Sequence, residues 1–406
     1  MKRLFILFFI SFNLIVTAQD KRTIIVDQNG SGDFKTITAA IQSLPMFNYQ
    51  RTIIFIKNGS YNEKLKIDQD FITLKGESKE KTILHYSQLR SDWNTKKDSI
   101  GPGVINLYGD DFILENMTVE NTQPLIGPHA FTIYGFGTRT ILLNCNLISK
   151  GGDTVSLWDY KTGMYYHANC NFVGAVDFVC PRGWCFIRDS KFYEVNKTAS
   201  IWHAGGDNLN QKFVITNSYF DGVNGFELGR HHYEAQFYLI GCKFSDSMST
   251  QPIYRVVYSD TTKNRPFNWG PRYFYFNCHG NTKDQLWFRD NFFKPEIATP
   301  AWTFDFKWNP ETDEGPKILK YILETNYLVL FLDEKVTVFG LPEIESITGK
   351  VFKYLSGGGS DTIRFKCSTF FDKNDLTGLK ISNGGKIIGN TSTIHERQIE
   401  LNKIPF

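Results

Sequence analysis

The 406-residue chain lacks a charge imbalance: 45 Lys and Arg stand against 42 Asp and Glu, a formal net charge of +3. A globally basic nucleic-acid binder is thereby excluded, whereas a local basic groove facing an acidic polymer is not. Beyond the first 20 residues no apolar run is long enough for a membrane span. There is no CxxC motif and no His-rich cluster, so the seven cysteines do not read as a metal centre. The segment NGSGDFKT lacks the Gly-Lys-Ser/Thr ending of a phosphate loop. Seven is also an odd count, so at least one thiol stays unpaired if all bridges are internal. Cys180 and Cys185 are close enough to bridge across Pro181-Arg182-Gly183, while Cys145, Cys170, Cys242 and Cys278 recur in similar settings and read as buried packing positions.

What is present begins with a leader. Lys2 and Arg3 precede an apolar run from Leu4 to Val16, followed by Thr17 and Ala18. This is the pattern of a secretory signal with cleavage after Ala18, and the run is short for a membrane anchor. Export to a periplasm, a cell surface or the medium is expected, where disulfides are permitted.

The body is rich in Phe (35), Tyr (19) and Gly (33), a mixture that suits β-structure with frequent turns. Residues 23–45 read as a strand, a Gly-rich turn and a helix capped near Asp33 and stopped by Pro45. Short strands are expected at 51–56, 64–67, 72–75 and 82–85. A polar-small pair then recurs after each β-rich run: Asn116-Met117, Asn144-Cys145, Asn169-Cys170, Asp189-Ser190, Asn217-Ser218, Gly241-Cys242 and Asn277-Cys278. Irregular periods, mostly in the twenties, fit a β-solenoid with one repeat per coil, in which equivalent Asn side chains stack and hydrogen-bond. Near residues 302–316 the character changes. From there, strands are expected at 327–332, 335–339, 362–366, 379–381 and 398–401. The segments DEKVTVFGLP, GGGSDTIRF and GLKISNGGKIIGN resemble bacterial immunoglobulin-like adhesin repeats. The expected organisation is a leader at 1–18, a right-handed parallel β-helix at 19–315 and a small β-sandwich at 316–406.

Chemistry gathers around GAVDFVCPRGWC, residues 174–185. Asp177 stands in an apolar strand-like run, where burying a charge costs several kcal/mol unless it is paired. Taken alone it reads as a structural Asp tying down backbone. However, Asp153 lies 24 residues earlier, about one coil, and Arg230 lies 53 residues later, about two. Neighbouring parallel strands are ~4.8 Å apart, so the two acids can project side by side while Arg230 leans back to hold Asp177. Two such acids cannot both ionise cheaply, and one pKa is expected to rise.

These residues carry a resemblance. In order, DQNGSGDFKTITAAIQSLP, NGSYNEKLKI, ITLKGES, DDFILENMTVENT, GGDTV, GAVDFV and LGRHH resemble the pectin methylesterases across about residues 23–290. That resemblance implies hydrolysis of galacturonate methyl esters in pectin on a β-helix, with no metal or organic cofactor; a monomer is expected. It assigns Asp177 as nucleophile, Asp153 as general acid/base and Arg230 as the arginine that orients the nucleophile.

Trp158, Tyr160, Tyr165, Trp184 and Trp202 are expected either as sugar platforms or as packing residues. The chain departs from the family where Gly152 and His129 replace two oxyanion-side glutamines, where His231-His232 replaces Pro-Trp, and where Cys180-Pro181 replaces Phe-Gly. Gly152, His129, Trp202 and His232 are therefore carried as oxyanion or substrate contacts. Loss of the glutamines also motivates the alternative of a non-catalytic β-helix that binds acidic polysaccharide. A lyase or polygalacturonase would need a calcium-binding acid cluster, or paired Asp motifs with a catalytic His, and neither is found.

Overall fold

The recurring polar-small pairs are the corners of a coil. In the computed structural model, which describes residues 22–206, 208–264, 270, 272–280 and 286–401, Asn116, Asn144, Asn169, Asp189, Asn217, Gly241 and Asn277 all have φ between 48° and 64°. The left-handed region is open to Gly and tolerated by Asn and Asp, and other residues pay a steric penalty there. The second member of each pair, Met117, Cys145, Cys170, Ser190, Ser218, Cys242 or Cys278, turns inward and is buried. The expected stacking is real for part of the ladder: Nδ2 of Asn144 donates to Oδ1 of Asn116 at 2.8 Å. The leader expected at 1–18 lies outside the described residues.

Each coil crosses three parallel sheets. One runs Met164–Ala168, turns at Asn169-Cys170 into Asn171–Gly174, turns again into Val179–Pro181, and returns at Trp184–Arg188. Stacked coils build sheets of ten, nine and eight strands among the described residues. The pairing is in register, for example Val155 with Val179 and Trp202 with Arg230. The interior is filled by stacked apolar residues such as Phe172, Phe192 and Phe220, with ring centroids 5.2 and 4.3 Å apart. This is a parallel β-helix.

At its start the helix Ile37–Gln42 is capped by Thr36, whose side chain accepts from the Ala39 N–H. Asp33, the expected cap, accepts the Ile25 N–H instead.

The C-terminal region is antiparallel, as expected, with a six-stranded sheet, a two-stranded sheet and its own apolar core. Strands Ile318–Glu324 and Val351–Ser356 were not anticipated, and at 398–401 there is only a bridge from Gln398 to Ile388. This region docks on the β-helix through buried Arg51. Its Nη2 donates to the Asn390 carbonyl and to Ser392 Oγ, both at 2.8 Å, and its Nη1 donates to the Asp111 carbonyl at 3.1 Å. Among the described residues, no helix is long and apolar enough to cross a membrane.

The Cys180–Cys185 bridge does not form, and all seven thiols are free. Cys185 pairs in register with Tyr165 and faces the coil interior. Cys180 packs outward with Trp202 and Ala204. The two sulfurs occupy different spaces.

The corner reading predicts a contrast at Asn169, which is exposed and has φ 55°. Asn169→Gly should leave unfolding free energy within about 1 kcal/mol, while Asn169→Val should cost about 1–3 kcal/mol, as read by urea melts.

Candidate active site

Asp177 is not on a strand. It occupies the bend between Asn171–Gly174 and Val179–Pro181, with φ 59°, directly after Val176 at φ 45°. A β-branched residue at positive φ is a true outlier, and such strain persists only where its surroundings over-determine it. The surroundings here are specific. The Val176 N–H donates to Thr198 Oγ1 at 3.1 Å, and the Asp177 N–H to the Ala199 carbonyl at 2.6 Å. Below, buried Glu194 receives the Asn196 N–H at 2.9 Å, and burial pushes its carboxyl up to about 9, so it is neutral at pH 7.

One coil earlier, Asp153 repeats the geometry at φ 57°, with its N–H on the Val176 carbonyl at 3.0 Å. Because Val155 and Val179 are in register, the residues two positions before each lie in neighbouring coils at one bend. Two coils beyond Asp177, on strand Glu227–His231, Arg230 reaches back. Its Nε donates to Asp177 Oδ1 at 2.8 Å and its Nη2 to Oδ2 at 2.7 Å. This fork-to-fork pair fixes the carboxylate plane as well as its charge.

Burial pushes both acids up to about 6. For Asp177, Arg230 opposes that rise and the neighbouring Asp153 adds to it; for Asp153, Arg182 and Arg90 oppose it. The expectation of one raised acid is thus corrected. Both rise, with desolvation the largest cause. Ser156 Oγ, which accepts from Trp158 Nε1 at 2.8 Å, makes a long 3.4 Å contact to Asp153 Oδ2.

The remaining expected residues divide. His129, on strand Gly127–His129, pairs in register with Gly152 and places Nε2 at 3.6 Å from Asp153 Oδ1. Burial lowers its pKa, so the imidazole is neutral at pH 7. Gly152 admits no side chain without movement, since a Cβ would meet the Gly127 and Val176 carbonyls at 3.1 Å. Trp202 lies beside the pair but is only 6% exposed, with the Arg182 guanidinium 4.7 Å from its ring centroid. His232 packs edge-on to Trp202 and shares a 2.7 Å hydrogen bond with Tyr258. Tyr165 and Trp184 are buried packing residues, in the coil core and under the 298–308 segment respectively. Trp158 and Tyr160 do line the cleft.

Two arginines of the site were missed. Arg182 stacks at 3.6 Å on Trp158, and Arg90 lies 5.9 Å from both Phe131 and Trp158. A cation inside the segment that departs from the family pattern was the available signal for Arg182; Arg90, on the short helix Arg90–Thr95, offered none. No group of three or more His, Cys, Asp or Glu among the described residues is placed to hold a metal.

The family model described as Pectinesterase matches residues 23–218. Over those residues, just under half of the chain, the sequence is similar to the pectinesterases. Among curated relatives, "Probable pectinesterase 49" of Arabidopsis thaliana is 32% identical over 169 residues, covering 40% of this chain and 45% of its own. The chain spans about half the length of the curated relatives it matches.

Carrot pectin methylesterase superposes with a TM-score of 0.57 at 18% identity, covering 70% of this chain and 93% of that one. A pectin methylesterase in complex with a hexasaccharide gives 0.59 at 21% identity, with 73% and 100% covered. At these identities the likeness is one of fold.

An acid whose pKa is raised by folding weakens the fold once it ionises. Asp153, ordinarily near 3.8 and here about 6, takes nothing from stability below pH 3.8, a growing amount between pH 4 and 6, and its full amount above. Asp153→Asn should therefore raise unfolding free energy at pH 8 by about 1–3 kcal/mol and leave it unchanged near pH 3.5, measured by chemical denaturation.

Proposed function

We propose that the chain is an exported esterase that hydrolyses methyl esters of galacturonate in pectin, releasing methanol. One observation carries the reading: an aspartate held in bidentate fashion by Arg230, next to a second aspartate with a raised pKa, both aspartates within the stretch that the Pectinesterase family model matches. Arg230 keeps Asp177 ionised and aims one oxygen at the C6 carbonyl carbon. Asp177 attacks, forming a C–O bond as the carbonyl electrons move to oxygen, and His129 as a neutral imidazole donates toward that oxygen. Collapse of the adduct breaks the bond to methoxide, which leaves as methanol with the proton of Asp153. Asp153, now ionised, takes a proton from water as that water attacks the mixed anhydride, and the free galacturonate and Asp177 carboxylate are restored.

Three arginines, Arg90, Arg182 and Arg230, surround the two acids, so an anionic polysaccharide meets a locally positive cleft on a chain with little net charge. The leader reading of residues 1–18 supports export. The β-helix at 19–315 would carry the chemistry. The region at 316–406, antiparallel over its described residues, for which we retain the immunoglobulin-like kinship, would serve attachment or stabilisation.

Methanol release from highly methylated pectin and from branched pectin fragments tests the reading. The wild type should be active on at least one, and Asp177→Asn should lose roughly a thousandfold or more in kcat/KM with pectin binding retained. A wild type that binds both and cleaves neither would establish the non-catalytic alternative.

A further inference from the structure

The six-stranded sheet of the C-terminal region covers its own core with one face and carries charge on the other. On the neighbouring strands Tyr327–Leu332 and Thr362–Cys367, Leu328, Leu330, Leu332, Ile363, Phe365 and Cys367 point into the core. The alternate residues, among them Val329, Phe331, Arg364 and Lys366, make up the opposite face. The β-helix is met elsewhere, by Thr337, Val338, Asn390 and Ser392.

This outer face gathers cations that the fold alone does not call for. Lys353 and Lys366 stand directly opposite each other on neighbouring antiparallel strands, and Arg364 is two residues from Lys366 on the same side. Like charges directly opposite weaken a sheet. Glu343 takes up Lys353 at 3.2 Å, whereas the exposed Arg364 and Lys366 form no ion pair with a described carboxylate. The other acids of this face lie toward its edges, Glu324 on the outermost strand and Glu345 opposite Lys380.

Between the cations the floor is apolar and aromatic. Val329 is only 3% exposed, and Ile322 lies beside it on the next strand. Lys366 Nζ is 5.9 Å from the Tyr327 ring centroid and Lys320 Nζ 4.4 Å from that of Phe331, contacts that hold the ammonium groups over the sheet. Cations around a flat apolar floor match a chain of uronate units, which offers a carboxylate on each unit and a less polar ring face. A lipid surface would instead call for apolar side chains that protrude beyond the cations.

We propose that this sheet face is a binding surface for unesterified polyuronate, separate from the acid-pair cleft, with Arg364, Lys366 and Lys353 taking the carboxylates. The proposal goes beyond the esterase reading and rests on it for the identity of the polymer. Its ligand is the acid polymer that ester hydrolysis would leave behind, so the C-terminal region would hold the chain on substrate already de-esterified.

The test uses the full mature chain with Asp177→Asn, so that no turnover occurs, and calorimetry with long unesterified polygalacturonate. Adding Arg364→Ser and Lys366→Ser should weaken binding roughly tenfold or more at low salt, with a smaller loss at high salt. In the otherwise wild-type chain the same pair should leave kcat and KM for methanol release from short esterified oligomers within about twofold. Unchanged polygalacturonate affinity in the double variant would overturn the proposal. An equal loss in Lys335→Ser with Lys386→Ser, which removes as much charge from elsewhere in the region, would also overturn it. Binding of phosphatidylserine vesicles through Arg364 and Lys366, with none of polygalacturonate, would overturn it in favour of a membrane.

The melting temperature of each variant separates misfolding from loss of the contact. If the wild type releases no methanol yet binds polygalacturonate through Arg364 and Lys366, the esterase reading falls and the surface stands. Methanol release combined with binding indifferent to these two residues has the reverse meaning.

Discussion

In-register stacking of parallel coils is the constraint on which the rest depends. It sets Asp153 and Asp177 on neighbouring levels of one bend and brings Arg230 within reach from a strand two coils further on, although Asp153 and Arg230 are 77 positions apart in the chain. It also explains the backbone. Asp153 and Asp177 take the same left-handed conformation at equivalent places on neighbouring coils. Val176 is the exception that marks the site, a β-branched residue held at φ 45° by Thr198 and by the Asp153 N–H on its carbonyl.

Electrostatics then decide what this stack can do. Two buried carboxyls resist ionising together, while the bidentate Arg230 biases the charge toward Asp177. The state with one proton on Asp153 and none on Asp177 is the one that separates an acid from a nucleophile. Glu194, neutral beneath Asp177, adds no opposing charge at pH 7. Arg182 and Arg90 balance the field at Asp153 from the cleft side.

Much of this was legible in the sequence, for a physical reason. Left-handed corners admit few residue types, so the Asn and Asp ladder announced the coils, and coil length turned residue spacing into proximity for the two acids and Arg230. Other features were not legible. Val176-Asp177-Phe178-Val179 alternates as a strand does, and no local propensity reveals that it is a strained bend. For Tyr165 and Trp184 the choice between sugar platform and packing stayed open because the parity that turns a side chain inward is set by register with the next coil, as in the pairing of Tyr165 with Cys185. The same parity separates Cys180 from Cys185. Arg182 escaped notice because its role comes from Trp158 and Trp202, one coil to either side.

The central claim is that the two aspartates share one proton in the working state. The pH dependence of kcat/KM for methanol release tests it most directly. With both carboxyls near 6, protonation of Asp177 removes the nucleophile on the acid side and ionisation of Asp153 removes the acid on the alkaline side. The account predicts a bell with its maximum near pH 6, and an alkaline limb that disappears in Asp153→Asn along with most of the rate. A wild-type rate that rises to a flat plateau above pH 8 would contradict it.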